Sequence, residues 1–527
     1  MVGHTCRNNK GKTVILDLFT PRPIHQLCDA AELKRTLGAL LAGEAFKAVE
    51  EIYGWFESLH RAEGVRPMQL FDIVRQLDEV GYHKIRRLTR DYLHSARLSK
   101  GEERRLWSMC FNYWGELTSL YAYCAEQLRP ALQDKADKSE QAGESLKSIM
   151  PLLLSRQMAA RTNQLRWMVY SYSVIGEDLW RGLGHAFSRA VADGFANEPV
   201  LLYPGMNQTT SVTREYLHLL VLSASSADSL MPFEIDLADR LIGHLLPHFV
   251  FSETFQKDSV YWVDIAEGKP PTRLAREPAA LTPTLRFFSP GRAHQALSQL
   301  IQRVGQGEVP EELNLGGNYA ADIVLPVMHH LALYWAPEPP LRQHPRHSVK
   351  ARIAALQGFE DCFTLFSGEI ARFGKEQTAA VWVVENVSLG GFLASADIAA
   401  EGLKIGTLLG LQPEGSENWV LGIVRRYSKE TTTQASVGIQ ALSRQAWSVK
   451  LRPGGNGFSP HNAIPGICLE EHAGESELRI VVPSGCFDAR ETIEFAHENR
   501  HYMLTPIALE EVGDDFEIAC YRFTVFS

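Results

Sequence analysis

The chain has 527 residues, with 53 Lys+Arg against 62 Asp+Glu and a formal net charge of −9. Hydrophobic residues make up 45% and charged residues 22%, a globular balance that excludes wholesale disorder, a collagen-like fibre and a disulfide scaffold. The length exceeds one ordinary core, so several domains are expected. The acidic total argues against a general nucleic-acid binder.

Residues 1–24 read as an N-terminal arm. Its short apolar stretch is interrupted by Asp17 and no small-residue cleavage site follows, which makes it a poor signal peptide. No window approaches the run of about 18 apolar residues that a spanning helix needs. The eight cysteines are scattered and form no C-x-x-C pair, so reduced, buried thiols and a cytoplasmic location are expected.

Residues 25–257 are expected to form a helical domain. Trp107, Cys110, Trp114, Leu117, Tyr121, Cys124 and Leu128 recur at spacings of three and four, which predicts one aromatic-rich packing stripe. Leu70, Ile73, Leu77 and Val80 make a second stripe. Gly64, Gly101 and Gly143 fall between helical stretches, and no fixed repeat period is found. Residues 258–336 are mixed: VYWVDI reads as a strand and PGRAHQALSQLIQRV as a helix.

Two joints follow, a proline-rich one at Ala336–Pro340 and a glycine-rich one at Arg452–Gly457. Between them, over 337–452, lie short Val/Ile-rich runs such as VKARIAAL, AAVWVVENV, WVLGIVRRY and ASVGIQAL. These predict a small antiparallel barrel or sandwich. Residues 458–527 continue in the same style as a small acidic β domain, with Gly513-Asp514 as a hairpin turn. The fold class expected is therefore α+β multidomain. Residues 340–450 carry 12 basic and 10 acidic side chains, whereas 451–527 carry 5 and 13. The middle piece alone escapes the acidic trend.

The first strand of that piece is preceded by Arg342-Gln343-His344-Pro345-Arg346, an R-x-x-x-R pattern. Forty residues on, Asn386-Val387-Ser388-Leu389-Gly390-Gly391 supplies N-x-S-x-x-G in a predicted inter-strand turn. Together, and in this order, they resemble the PilZ domain, the bacterial receptor module for cyclic di-GMP. The strand ASVGIQAL is similar to that family's closing strand, which typically carries a Val-Gly pair. The resemblance covers about a fifth of the chain. It implies a PilZ-like β-barrel that binds cyclic di-GMP as ligand, without a cofactor, through Arg342, Arg346, Asn386, Ser388 and Gly391. The chemistry fits: the arginine fork matches phosphate oxygens and the O6 and N7 acceptors of guanine. Asn386 offers amide groups, Ser388 a hydroxyl, and Gly391 lets backbone approach a ligand closely.

Two features depart from the commonest family pattern. The motifs are further apart than usual, with the extra length around GFEDCFTLFSGEIARFGKE, expected as an elaborated first hairpin. Leu341 stands where some members have another arginine, which argues for one bound ligand rather than a stacked pair.

No phosphate loop or G-x-S-x-G occurs, nor the Gly-Gly-Asp-Glu-Phe and Glu-Ala-Leu strings that mark synthesis or hydrolysis of the messenger. A reader rather than an enzyme is expected. His329-His330 on a predicted helix, Cys468 with His472, and the acidic turn Glu510, Glu511, Asp514, Asp515 are read as packing or solvated groups rather than metal sites. The basic run His83, Lys84, Arg86, Arg87, Arg90 is read as a solvated helix face. The expectation is a cyclic di-GMP effector in which ligand bridges linker and barrel and reorients the helical region toward a protein partner. Its rival is a scaffolding protein whose PilZ-like domain does not bind ligand.

Overall fold

Capped helices build the first half of the chain. The computed structural model describes residues 25–94, 98–133, 140–275, 278, 280–338, 345–367, 379–397, 403–431, 433–453, 463–469, 476–497, 500–513 and 515–526. The N-terminal arm, 1–24, lies outside them. The chain divides into one unit of residues 1–168, 175–224 and 241–296, and another of 169–174, 225–240 and 297–527.

In the first unit, α1 (Ala30–Ala42) starts at Asp29, whose carboxylate accepts the N–H groups of Ala31 and Glu32 at 2.9 Å. Next come α2 (Ala45–His60) and α3 (Pro67–His94), the latter opened by a proline that needs no N–H partner there. A reciprocal capping box starts α4 (Lys100–Gln133): Glu102 accepts the Ser99 N–H at 2.9 Å, and Ser99 Oγ accepts the Glu102 N–H at 3.3 Å. The predicted stripe on α4 is buried at Cys110, Trp114, Leu117, Tyr121, Cys124 and Leu128. Trp107, at its edge, is half-buried and donates to the Trp167 carbonyl at 2.8 Å on α5 (Glu140–Tyr170).

A polar network is sealed inside these helices. Asp78 of α3 is fully buried and accepts from the hydroxyls of Tyr121 (2.7 Å) and Tyr203 (3.1 Å) and from Arg156 (3.2 Å). Burial raises its pKa, while the Arg156 cation and the tyrosine hydroxyls oppose that shift. Through these bonds the network ties α3, α4 and α5 together. The unit also holds α6 (Glu177–Ala192), α7 (Val212–Ala224) and a four-stranded antiparallel sheet. Its strands β1 (Val250–Ser252), β2 (Tyr261–Asp264), β3 (Thr272–Arg273) and β4 (Leu285–Ser289) lie in the order β1-β4-β2-β3. The expected strand VYWVDI is β2. The expected helix in PGRAHQALSQLIQRV is α9 (Ala293–Gly305), which follows α8 (Pro232–Leu245) in the chain.

The second unit carries α10 (Ala321–Trp335) and two closed antiparallel barrels. In the first, β5 (His347–Gln357), β6 (Ala380–Ser388), β7 (Gly391–Asp397), β8 (Leu408–Pro413), β9 (Val420–Lys429) and β10 (Gln434–Ser443) close in the order β10-β7-β6-β5-β8-β9. Alternation sets its faces. On β10, Ala435, Val437 and Ile439 are buried with Trp382, Leu411 and Val424, while Ser436, Gly438 and Gln440 point outward.

In the second barrel, β11 (Ala446–Pro453), β12 (Ile464–Leu469), β13 (Glu477–Pro483), β14 (Ile493–His497), β15 (Arg500–Val512) and β16 (Phe516–Phe526) close in the order β11-β12-β13-β16-β15-β14. The glycine-rich joint therefore does not divide the barrels. Arg452 and Pro453 belong to β11, and the change of barrel falls at Arg444-Gln445. The elaborated hairpin expected after β5 is, over its described part, a helix, α11 (Phe359–Phe366). Phe359, Cys362, Phe363 and Phe366 fall on one helical face and pack with Leu408, Leu421 and Ile423 of the first barrel. The same cluster holds Ile467, Val481, Phe516 and Ile518 of the second. The fold class is α+β multidomain, as expected. No helix among the described residues is long and apolar enough to cross a membrane.

Candidate functional site

A cleft of about 330 Å³ opens on the outer face of β7, β9 and β10. Its wall includes Arg346, Ser388 and Gly391 from the two sequence motifs, together with Arg425, Arg426, Gly438 and Gln440. Arg342 lies outside the described residues. Asn386 sits on β6 opposite Ser348 and Leu393; it is half-buried and is not among the residues lining the cleft.

Local geometry explains the glycines and the serine. The Ser388 hydroxyl donates to the Gly391 carbonyl at 3.1 Å, closing the β6–β7 turn. Gly391 has φ 153°, and a Cβ there would lie 2.0 Å from the Ile439 carbonyl oxygen, so a side chain is excluded by backbone. Gly438, of the Val437-Gly438 pair, faces the Arg426 side chain. A Cβ at 438 would meet the Arg426 Cβ at 3.0 Å, so this glycine leaves the arginine room to lie flat on the strand.

Arg425 and Arg426 are consecutive, and alternation would send them to opposite faces. Gly438 pairs with Arg426 and Ile439 with Val424, so Arg425 is the extra residue of a β-bulge. The bulge turns both guanidinium groups toward the cleft. Arg425 donates through Nε to Gln440 at 2.7 Å and makes a two-pronged pair with Glu511 of the second barrel at 2.5 and 2.7 Å. Arg426 donates through Nε (3.0 Å) and a terminal nitrogen (2.5 Å) to one oxygen of Asp228, which also lines the cleft. Arg346 is exposed and makes no ion pair among the described residues. The site thus gathers three arginines on a shallow surface with a glycine floor, suited to a small anionic planar ligand. Sequence reasoning missed Arg425 and Arg426, whose only signal was a basic pair inside the otherwise apolar run WVLGIVRRY.

The other sequence candidates have different surroundings. His330 bonds the Ser225 carbonyl at 2.7 Å through Nε2, and burial lowers its pKa. Glu510 pairs with Arg479 at 2.7 Å, and Asp515 accepts the Phe359 N–H at 2.7 Å; Asp514 and His472 lie outside the described residues. Among the described residues, no three His, Cys, Asp or Glu side chains group as a metal site would need. In the basic run of α3, Lys84 donates to the carbonyls of Leu41 (2.8 Å) and Gly43 (2.6 Å), and Arg86 lies over the Tyr82 ring.

Comparison with known families adds an independent finding. Residues 31–256 match the family model described as cyclic-di-GMP receptor FimW, N-terminal domain. The match spans less than half of the chain and lies outside both barrels. No curated protein matches the chain.

Proposed function

We infer that the chain is a non-catalytic cytoplasmic receptor for cyclic di-GMP, binding the dinucleotide in the cleft of a PilZ-like first barrel. Arg342 and Arg346 would hold phosphate oxygens and guanine edges, while Asn386, Ser388 and Gly391 would shape the barrel side. The observation that carries the reading is the meeting of Arg346, Ser388 and Gly391 at one arginine-rich cleft, although the motifs are forty residues apart. The match of residues 31–256 to the N-terminal domain of a cyclic di-GMP receptor supports it from a separate part of the chain.

A dianionic ligand needs fixed cations and a surface that lets it approach. The cleft supplies arginines, and the glycine floor keeps side chains out of the way. Ligand held between the linker arginines and the barrel would fix the path by which the chain enters β5. The output would be a changed surface on the helical region, available to a protein partner.

Calorimetric titration of the full chain with cyclic di-GMP tests this reading. Saturable binding is expected, weakened at least about 10-fold by Arg346→Ala and by Arg342→Ala, the scale of one lost charge-assisted contact. Absence of heat would leave the first barrel as a contact module without ligand. Small-angle scattering that is unchanged at saturating ligand would remove the reorientation step.

A further inference from the structure

Asp228 raises a question that the receptor reading does not answer. A carboxylate in a cleft meant for a phosphate ligand should repel it, yet here it holds one of the cleft's arginines. We propose that Asp228 is a built-in stand-in for a ligand phosphate: it occupies Arg426 in the free protein and is displaced when cyclic di-GMP binds. The proposal rests on the receptor reading, and it assigns Arg426 as a further ligand-binding residue.

The geometry supports an exchange. Both Arg426 contacts reach the same Asp228 oxygen, at 3.0 and 2.5 Å. The second carboxylate oxygen accepts the Ser226 hydroxyl at 2.6 Å. The pair is half exposed, at 49% for the Arg426 side chain and 29% for Asp228. Exposed ion pairs are weak, so a phosphate able to engage the whole guanidinium fork competes well. Arg425 is a poorer candidate for exchange, since Glu511 holds it from two sides and Gln440 fixes its Nε.

Release of Asp228 would have somewhere to go. Asp228 lies on a single 3-10 turn, Ala227–Ser229, entered through Ser226 in the left-handed region at φ 52°. That conformation is uncommon for a residue with a side chain. Arg426 holds the turn at Asp228, within the turn itself Ser226 bonds Asp228, and further contacts fix its two ends. Before it, Ser225 accepts the Trp335 indole N–H at 3.1 Å and the His330 N–H at 2.7 Å, both from α10. After it, the Leu230 carbonyl accepts the Tyr172 hydroxyl at 2.8 Å. Tyr172 in turn packs edge-on against Tyr427, the neighbour of Arg426. Trp335 ends α10, and the chain beyond it runs into the segment that carries Arg342 and Arg346. One ligand would therefore act on α10 by two routes: the linker arginines after it and the Asp228 turn bonded to it. Binding that favours the released turn shifts the population toward it.

The test is calorimetric titration of the full chain and three variants with cyclic di-GMP. Asp228→Asn keeps shape and removes the competing charge, and is expected to bind about 5-fold tighter, the scale of one exposed ion pair. Arg426→Ala is expected to bind about 10-fold weaker. In the double variant the part of the gain that comes from freeing Arg426 should vanish, leaving only the relief of the Asp228 charge, so the two substitutions should not add. Amide hydrogen exchange over 226–230 in the unaltered chain gives a second readout, expected to speed up with ligand. If the unaltered chain gives no heat, or Arg346→Ala binds as well as it does, the receptor reading falls and the exchange with it. If those controls hold but Asp228→Asn binds no tighter, or exchange over 226–230 does not rise, the stand-in role alone is overturned.

Discussion

Two six-stranded barrels follow one another in this chain, closed alike but dressed differently. On the outer face of β7, β9 and β10 the first barrel presents Ser436 and Gly438 beside Arg425 and Arg426. Where β15 and β16 pair, the second presents exposed Met503, Ile507, Leu509, Val525 and Phe526, and its Arg479 is committed to Glu510. Closing a sheet removes its edges in both cases. Surface chemistry is a separate layer, and in the first barrel it consists of small residues beside a bulge that gathers cations.

Glycine substitutions give the largest expected contrast. Gly391→Ala should destabilise the full chain by about 3 kcal/mol in urea denaturation, because the new Cβ meets a backbone carbonyl. Gly466→Ala in the second barrel meets side-chain methyls of Leu451 (2.8 Å) and Ile480 (3.1 Å), which can shift, and should cost only about 1 kcal/mol. Equal costs would break the contrast between a glycine set against rigid backbone in the cleft and one set against side chains that can shift.

Glu517 probes a loop of the second barrel. Its buried carboxylate accepts the N–H groups of Gly485 (2.8 Å) and Phe487 (2.9 Å), fixing the loop after β13. Glu517→Gln should cost about 1–2 kcal/mol in the same assay, the value of charge-assisted bonds made neutral. Cyclic di-GMP affinity should be unchanged; a loss would place part of the binding surface on the second barrel. The smallest effect is expected for Arg479→Ala, which removes a partly exposed ion pair worth about 0.5 kcal/mol, with ligand affinity again unchanged.

How much of this was readable beforehand depends on the range of the cause. Strands and their faces were legible because alternation is a local signal, and so was the α4 stripe from Cys110 to Leu128. Arg346, Ser388 and Gly391 could be named because their spacing is itself a pattern. Arg425 could not, since its direction comes from an extra residue in the β9–β10 pairing, and pairing register is not written in one strand. Asp228 was further out of reach, 198 residues before the arginine it holds. The face formed by Phe359, Cys362, Phe363 and Phe366 was visible in the sequence, but its helical spacing was hidden by the strands on either side.

That short helix makes the two barrels one folding partnership. The cluster around Phe359 and Cys362 draws buried side chains from both sheets, so neither barrel keeps its full apolar core if the other is cut away. A truncation after β10 would expose Leu408, Leu421 and Ile423 together with the inner face of α11. Cooperative melting is the thermodynamic consequence: the first barrel and its acidic companion should lose structure in a single transition, and the companion's presence would be felt at the first barrel's cleft through stability alone.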